Sequence, residues 1–389
     1  MKRELLHYRA LTIALGLALV AWSAVRPDPA GADVKIGVLL PLSGKGASYG
    51  QHQEIAVKMA LDELEKTGIK GEPVKVFTYD TRGDNTEAIN LTRKLIHTDN
   101  VLMVVGPFFS AECEVAFPIA VQGRTPIVTA SSAKPGIAAK NRPWAFRNAL
   151  TSDRMNGPLI DKWIAVNGGQ MKSVVILTDV KDAFTKSDGT QVFPAVLKAK
   201  HVEILDNISF QAGDIDFSAQ VTKLKSLNPD GIVIAANYNE GGNIVREIRK
   251  QGLKQPIVGA LGIADTKFLE IAGPASEGVM GVMPFWPDNP DPRVRAWVEA
   301  YRKRANTTPG NTDALIYDTL FIAKQCIESS GVTNKPSDLA ADRERIRSCL
   351  EKVKDYPGIV GATTFNADGD AVLAPVPLRA RDGRWEYLK

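Results

Sequence analysis

The feature that most constrains the fold is a repeated alternation of short, β-branched apolar runs with helical patterns. It begins at residue 34 and continues through most of the chain. Runs that are apolar on both faces and are separated by helices are typical of parallel strands covered by helices on both sides. The candidate strands span residues 34–40, 74–80, 101–106, 125–130, 173–179, 201–210, 231–237 and 255–261.

Interruptions in this alternation predict two lobes. Eight strands exceed the commonest size of one sheet, and the pattern stops at residues 145–157 before it resumes with a helix. A stretch rich in Gly and Pro, 278–292, precedes a region of helical patterns only, 291–328, and residues 356–370 are strand-like with a turn. We therefore predict an α/β fold of two doubly wound parallel-sheet lobes.

The N-terminus has the three parts of a secretory signal peptide. A basic start is followed by the uncharged apolar run 11–24 and by an A-x-A arrangement at Ala30 and Ala32. The alternative is a membrane anchor, but this run is shorter than the ~20 residues that span a bilayer. We predict a signal peptide at residues 1–32, cleaved after Ala32, and therefore export.

Charge argues against a nucleic-acid partner. The net charge of the whole chain is +4. The predicted signal peptide carries four basic and two acidic residues, so its removal leaves a chain of about +2. A nucleic-acid surface would show clustered Lys and Arg, and the remaining sequence has no such cluster.

The three cysteines are interpreted in the light of export to an oxidising compartment. Cys326 and Cys349 lie in helical patterns near the C-terminus and could form a disulfide. Cys113 would then be a single buried thiol. The alternative is that all three are small buried apolar residues.

The segment IGVLLPLSGKGASYG, residues 36–50, raises the question of a nucleotide site because it combines a strand, a glycine loop and a helix start. Gly44, Gly46 and Gly50 give G-x-G-x-x-x-G, one residue longer than the dinucleotide motif. Asp80 ends the second strand, later than the usual acidic position. The chain also lacks G-x-x-x-x-G-K-[ST]. We therefore predict no nucleotide cofactor.

Other catalytic patterns are equally weak. No histidine is spaced with Cys, Asp or Glu as in a metal cluster, and no G-x-S-x-G nucleophile motif occurs. The sequence therefore predicts a protein without a metal or cofactor that is not an enzyme.

Three loops that follow predicted strands offer hydroxyls and backbone N–H groups at helix starts. They span residues 43–50, 106–112 and 130–135. Open α/β sheets bind ligands at the carboxyl ends of their strands, and helix N-termini favour anions. We expect these loops to hold a carboxylate, although simple helix capping is an alternative role for the serines of the last two loops.

Several segments in order resemble one protein family. They are VKIGVLLPLSGKGASYG, DTRGDNTEAINLTRKLI, VVGPFFSAE, TPIVTASSAKP, AFRNALTSD, NPDGIVIAANYNEGGNIVREIRKQGL and EGVMGVMPF. Together they resemble the extracytoplasmic solute-binding proteins of branched-chain amino-acid-type ABC transporters, over essentially the whole chain after residue 32.

This resemblance implies two α/β lobes joined by three crossover strands, with the ligand trapped between lobes that close as a hinge. The lobes would comprise residues 33–148 plus 282–356 and residues 149–281 plus 357–389. It also implies a monomeric periplasmic protein that delivers a small carboxylate to an inner-membrane ABC permease. A ligand-sensing module and a secreted α/β enzyme remain as alternatives.

The resemblance implies ligand contacts as well. On the first lobe, Ser110 and the residues after the next strand, Ala130, Ser131 and Ser132, would hold the carboxylate. Tyr49, at the end of the glycine loop, would line the cleft.

On the second lobe, Phe184 stands where the family commonly has a tyrosine, and Asn237 or Tyr238 would supply a further contact. Phe109 is expected to provide an apolar wall. Phe108, Phe285 and Trp286 could do the same, although ordinary core or hinge packing is the simpler role for each of these three.

The main departure from the family lies at Leu261. Amino-acid binders carry an acidic residue there that pairs with the ligand's ammonium group, and Asp265 lies four residues further on. Burying an unpaired ammonium group costs several kcal/mol. We therefore expect an aromatic or apolar acid, such as a benzoate or hydroxycinnamate. If Asp265 takes the acidic position instead, the ligand would be a branched-chain or other aliphatic amino acid.

Overall fold

The apolar runs form two separate sheets in a computed structural model of the chain. The structure describes residues 33–388. The predicted signal peptide and its cleavage site lie outside the described residues.

The strands are numbered in chain order. They are β1 Val34–Leu40, β2 Val74–Asp80, β3 Met103–Val105, β4 Ile127–Thr129, β5 Ala145–Arg147, β6 Ser173–Asp179, β7 Glu203–Phe210, β8 Gly231–Ala235, β9 Ile257–Gly259, β10 Met280–Met283, β11 Tyr356–Pro357, β12 Ala362–Thr363, β13 Val376–Arg381 and β14 Arg384–Tyr387.

The α-helices are numbered in the same way. They are α1 Ala47–Thr67, α2 Asn85–His97, α3 Ser110–Gln122, α4 Ser152–Val166, α5 Ala183–Ser187, α6 Phe193–Ala199, α7 Ser218–Leu227, α8 Tyr238–Lys250, α9 Thr266–Ala272, α10 Pro292–Ala305, α11 Asn311–Ser329 and α12 Leu339–Leu350. A π-helical turn, Asp188–Val192, joins α5 to α6.

Each sheet is the centre of one lobe. The first has the order β2-β1-β3-β4-β5 with all neighbours parallel. The second has the order β14-β13-β10-β9-β8-β6-β7 and is parallel except at β13 and β14. These sheets confirm the predicted α/β fold with parallel-sheet lobes.

The eight predicted runs correspond to β1–β4 and β6–β9, and β11 and β12 lie in the stretch 356–370 that was predicted to be strand-like. The other four described strands, β5, β10, β13 and β14, were not among the predicted runs. β5 and β10 are only three and four residues long, and they lie in stretches where the hydrophobic alternation breaks. β13 and β14 carry arginines at their exposed positions. Short or half-exposed strands bury too few consecutive apolar residues to stand out in a sequence.

The chain passes between the lobes at three places. These are the connections from β5 to α4, from β10 to α10 and from β12 to β13. Phe365 and Ala371, just before the third passage, pack in the core of the first lobe. This packing favours assigning that stretch to the first lobe, whereas the predicted division placed everything from residue 357 in the second.

The structure shows the state of each of the three cysteines. Cys326 on α11 and Cys349 on α12 form a disulfide, and Cys113 is a buried free thiol. Of the two alternatives left open by the sequence, the structure shows the disulfide. Within residues 33–388, no helix combines the length and the apolar character that crossing a membrane requires.

Candidate functional site

A cavity of about 60 Å³ lies between the two lobes, where strands of both sheets end. From the first lobe, the starts of α1, α3 and α11 and the loop after β4 line it. From the second lobe, the loops after β6, β8 and β9 line it. We call this cavity the cleft.

Serine hydroxyls form one wall of the cleft. Ser110 Oγ and Ser132 Oγ lie 2.8 Å apart, and both residues are only 2% exposed. Such a pair shares one O–H donor between its two oxygens, so the second O–H can turn toward a ligand oxygen. Ser131 Oγ instead donates to the carbonyl oxygen of Phe108 at 3.0 Å, which fixes the two loops to each other.

The N-terminus of α3 strengthens this wall as an anion site. Ser110 is the first residue of α3, where the leading amides have no acceptor within the helix. The helix cap is supplied by Glu112, whose Oε2 accepts from Phe109 N at 2.8 Å. Burial raises the pKa of Glu112 to about 7, which reduces the negative charge beside the serine pair.

This geometry argues against helix capping by the serine side chains. Ser110 follows the N-cap position of α3, which Phe109 occupies. The next helical segment after Ser131 and Ser132 is the 3-10 turn Ala139–Asn141, which they do not directly precede. None of the three therefore occupies the N-cap position of a described helix.

The glycine loop is held by Asp80. Its Oδ1 accepts from Leu42 N at 2.8 Å, and its Oδ2 accepts from the Ser43 hydroxyl. Although burial opposes it, these hydrogen bonds lower the pKa of Asp80. Asp80 therefore stabilises the loop itself, which accounts for an acidic residue at the end of β2 without a nucleotide.

Two glycines of this loop are required by close packing. Gly46 has φ +71°, and a Cβ on it would lie 2.4 Å from the ring of Phe109. A Cβ on Gly50 would lie 2.1 Å from the carbonyl oxygen of Pro41. The glycines bring α1 and its aromatic side chain against α3.

Aromatic rings form a second wall. Tyr49 stacks on Phe108 with ring centroids 4.8 Å apart and meets Tyr238 edge-on at 4.6 Å. Phe109 packs on Phe108 at 4.9 Å, and Lys45 Nζ lies 4.6 Å from the Phe109 centroid. These rings cover one another's faces across the lobe boundary.

The second lobe completes the enclosure with Phe184, Asn237 and Leu261. Phe184 is 8% exposed, at the start of α5. Leu261 is half-buried and packs against the second-lobe core. Asp265 lines the same cavity, and its Oδ1 caps α9 by accepting from Lys267 N at 2.7 Å.

Two polar contacts join the lobes across the cleft. Lys45 Nζ donates to Asp182 Oδ2 at 2.7 Å, and Asp182 is 2% exposed. The Tyr49 hydroxyl donates to the carbonyl oxygen of Gly262 at 3.0 Å. Both contacts require the lobes to be together, so the structure is a closed arrangement.

Of the ten predicted contact residues, eight line the cleft. They are Tyr49, Phe109, Ser110, Ser131, Ser132, Phe184, Asn237 and Leu261. Ala130 is buried and Tyr238 packs on Tyr49, but neither lines the cavity. Phe108 lines it as well, whereas Phe285 and Trp286 lie in the hinge region outside it.

Three further parts of the cleft lining were not predicted from the sequence. They are His52, Asp182 and the start of α11 with its N-cap residue, Gly310–Asp313. Asp182 had a local signal, because it lies two residues before Phe184 in the same turn. The start of α11 had none, since it reaches the cleft only through the packing of α11 on α1, where Gln53 Nε2 donates to Thr312 O at 3.1 Å.

Within residues 33–388, no three His, Cys, Asp or Glu side chains are grouped so that they could hold a metal ion. The acidic residues that line the cleft instead bind backbone amides or Lys45.

Comparison with known proteins identifies the family of this chain. The profile of the family described as periplasmic binding protein matches residues 33–379. The chain belongs to this family. The resemblance inferred from the sequence segments is thereby confirmed.

A relative named for the amino acids it binds agrees with this family assignment. The leucine-, isoleucine-, valine-, threonine- and alanine-binding protein of Pseudomonas aeruginosa is 26% identical over 372 residues, covering 95% of this chain and 94% of that protein. The matched relatives are substrate-binding proteins of transporters and are not enzymes.

Solved structures share the fold. The branched-chain amino acid transporter substrate-binding protein of Streptococcus pneumoniae, in complex with isoleucine, has a TM-score of 0.81 and 27% identity over 91% of this chain and 98% of that one. An ABC transporter solute-binding protein of R. palustris, in complex with benzoate, has a TM-score of 0.81 and 18% identity over 92% and 96%.

The Lys45–Asp182 pair generates a prediction about closure. Lys45→Ala removes the lysine partner of a buried carboxylate that spans the lobes, so the ligand-free periplasmic binding protein should shift toward open forms. The pair is half exposed at Lys45, so we expect about 1 kcal/mol, or about a fivefold change in the open-to-closed ratio. Small-angle X-ray scattering would record a larger radius of gyration.

Lys58→Ala is the matched control, because Lys58 pairs with Glu54 within α1 and does not reach the second lobe. Equal radii for both variants and the parent protein would contradict a latching role for Lys45.

Proposed function

We propose that this protein is the periplasmic binding component of an ABC importer and that its cleft holds a small carboxylate with an aromatic or apolar body. Benzoates and hydroxycinnamates are the expected class. The observation that carries this proposal is Leu261, which lines the cleft at the position where the family resemblance implies an acidic partner for a ligand ammonium group.

The carboxylate end of the ligand fits the serine wall. The Ser110–Ser132 hydroxyl pair and the leading amides of α3 offer donors, and no basic side chain of the described chain needs to be buried with the ligand. Hydrogen bonds to a charged carboxylate are stronger than neutral ones. The ligand would therefore be held by donors fixed on the first lobe.

The body of the ligand fits the aromatic wall. Tyr49, Phe108, Phe109 and Phe184 all line the cleft. Offset or edge-on contacts between aromatic rings stabilise by about 0.5–1.5 kcal/mol beyond burial. In the closed arrangement Tyr49, Phe108 and Phe109 pack on one another, and an aromatic ligand would replace part of those contacts.

Cavity size supports entry through an open form. A cavity of roughly 150 Å³ accommodates benzene, whereas the cleft measures about 60 Å³. The lobes must therefore part, or rings must turn, before an aromatic acid enters. Ligand contacts to both lobes would then favour reclosure. A monomer suits this cycle because both lobes remain free to move.

A second candidate ligand is a branched-chain amino acid. The observation that favours it is Asp265, a carboxylate from the second lobe that lines the same cavity as the serine pair. Burial raises the pKa of Asp265, and a ligand ammonium group would offset that effect.

Calorimetric titration separates these ligands. The protein without residues 1–32, refolded to remove carried-over ligand, would be titrated with benzoate and 4-hydroxycinnamate and with leucine, isoleucine and valine. We expect micromolar or tighter binding of an aromatic acid and no detectable heat from leucine. Tight binding of leucine, with the aromatic acids silent, would show that Asp265 or another acid serves as the ammonium partner.

Ser132→Ala tests the carboxylate wall. Loss of the hydroxyl should weaken binding of the aromatic acid by about 1–3 kcal/mol, since a donor to a charged group is removed. Ser226→Ala is the control, because Ser226 is exposed and its hydroxyl donates to Lys223 O away from the cleft. A Ser132→Ala effect no larger than that of the control would place the carboxylate elsewhere.

Leu261→Glu tests the position that decides ligand class. A buried carboxylate there should weaken binding of an apolar acid at least tenfold, through desolvation and repulsion. Leu261→Gln matches the size without the charge, so the difference between the two variants isolates the electrostatic effect. Unchanged affinity in Leu261→Glu would place residue 261 outside the ligand site.

A further inference from the structure

The start of α11 presents hydrogen-bond acceptors to the cleft. Asn311 is 6% exposed and lines the cavity, and its Oδ1 has no hydrogen-bond partner among the described residues. Leaving a buried acceptor without a donor costs about 1–3 kcal/mol. Native structures therefore contain few such groups, and each one calls for an explanation.

Asp313 lies two residues further along the same turn and also lines the cleft. It is 1% exposed, and its Oδ2 accepts from Gly310 N at 2.8 Å. Burial raises its pKa to about 8. Asp265 adds a second carboxylate to the lining from the other lobe.

Two donors at the cleft are committed to other acceptors. The Tyr49 hydroxyl donates to Gly262 O, and Lys45 Nζ donates to Asp182. Among the described residues, Asn311 Oδ1 therefore stays without a donor in the closed arrangement. A bound molecule that brings its own donor would supply one.

We propose that the ligand carries a hydrogen-bond donor, most simply a ring hydroxyl, at the end away from its carboxylate, and that Asn311 Oδ1 beside Asp313 accepts from it. This inference rests on the proposed function and narrows its ligand class to hydroxylated aromatic acids. The serine wall would recognise the carboxylate that all such acids share, and the start of α11 would select among them.

Calorimetry with three probes tests this selection. 4-Hydroxybenzoate carries the donor, 4-methoxybenzoate replaces it with a group that cannot donate, and benzoate lacks both. We expect 4-hydroxybenzoate to bind at least tenfold more tightly than 4-methoxybenzoate, because the methoxy acid leaves buried acceptors unpaired. The 3-hydroxy and 3-methoxy isomers repeat the comparison at the other ring position.

The parent protein has one hydroxy-to-methoxy affinity ratio for ring position 3 and one for ring position 4. Asn311→Ala should reduce the larger of these two ratios to about threefold or less. Asn156→Ala is the matched control, because Asn156 is also a buried asparagine but lies on α4 outside the cleft lining. That variant should keep the ratio of the parent protein. Using a ratio within each variant removes any general effect on folding or closure.

Three results would overturn the inference. Equal affinities for the hydroxy and methoxy acids in the parent protein would overturn it while leaving the proposed function intact. A ratio that survives Asn311→Ala would show that another group accepts from the hydroxyl. No binding of any aromatic acid would overturn the proposed function and this inference together.

Discussion

The polarity of the parallel strands determines where the site lies. Parallel strands end at the same edge of their sheet, which brings together the loops after β6 and β9 of the second sheet. The two lobes face each other with these edges, so the loop after β4 of the first sheet lines the same cleft. The same polarity places helix N-termini there, with amides that lack intrahelical acceptors. A carboxylate would accept from these amides, which supports the proposed acidic ligand without a basic side chain to pair with it.

A buried arginine ties this site to the lobe connections. Arg147 is fully buried, and its guanidinium pairs with Asp370 Oδ1 at 2.7 Å while Nη1 donates to Ser132 O at 3.1 Å. Arg147 ends β5 beside the first passage between the lobes, and Asp370 precedes the third. Removal of either partner would leave an uncompensated buried charge. The serine wall and the hinge are therefore held by one set of contacts.

Features that depend on consecutive residues could be predicted from the sequence, whereas features that depend on tertiary packing could not. Apolar runs as long as 34–40 predict strands because burial on both faces needs consecutive apolar residues, and the serine loops follow from strand order. β10, His52 and Asp313 could not be found in this way, since a four-residue strand and the approach of α11 to α1 are set by tertiary packing. Asn237 or Tyr238 was predicted as a ligand contact from the strand that precedes them, and the contact of Tyr238 with Tyr49 across the lobe boundary was not predicted because it depends on tertiary packing.

The proposed function places an aromatic carboxylate between the serine and aromatic walls, with both lobes closed on it. A crystal structure of the protein grown with 4-hydroxybenzoate would locate this ligand. We expect carboxylate density within hydrogen-bond distance of Ser110 and Ser132, the ring between Tyr49 and Leu261, and the hydroxyl at Asn311. Density for the acid outside the cleft, or inside it with the carboxylate turned away from the serines, would overturn this placement.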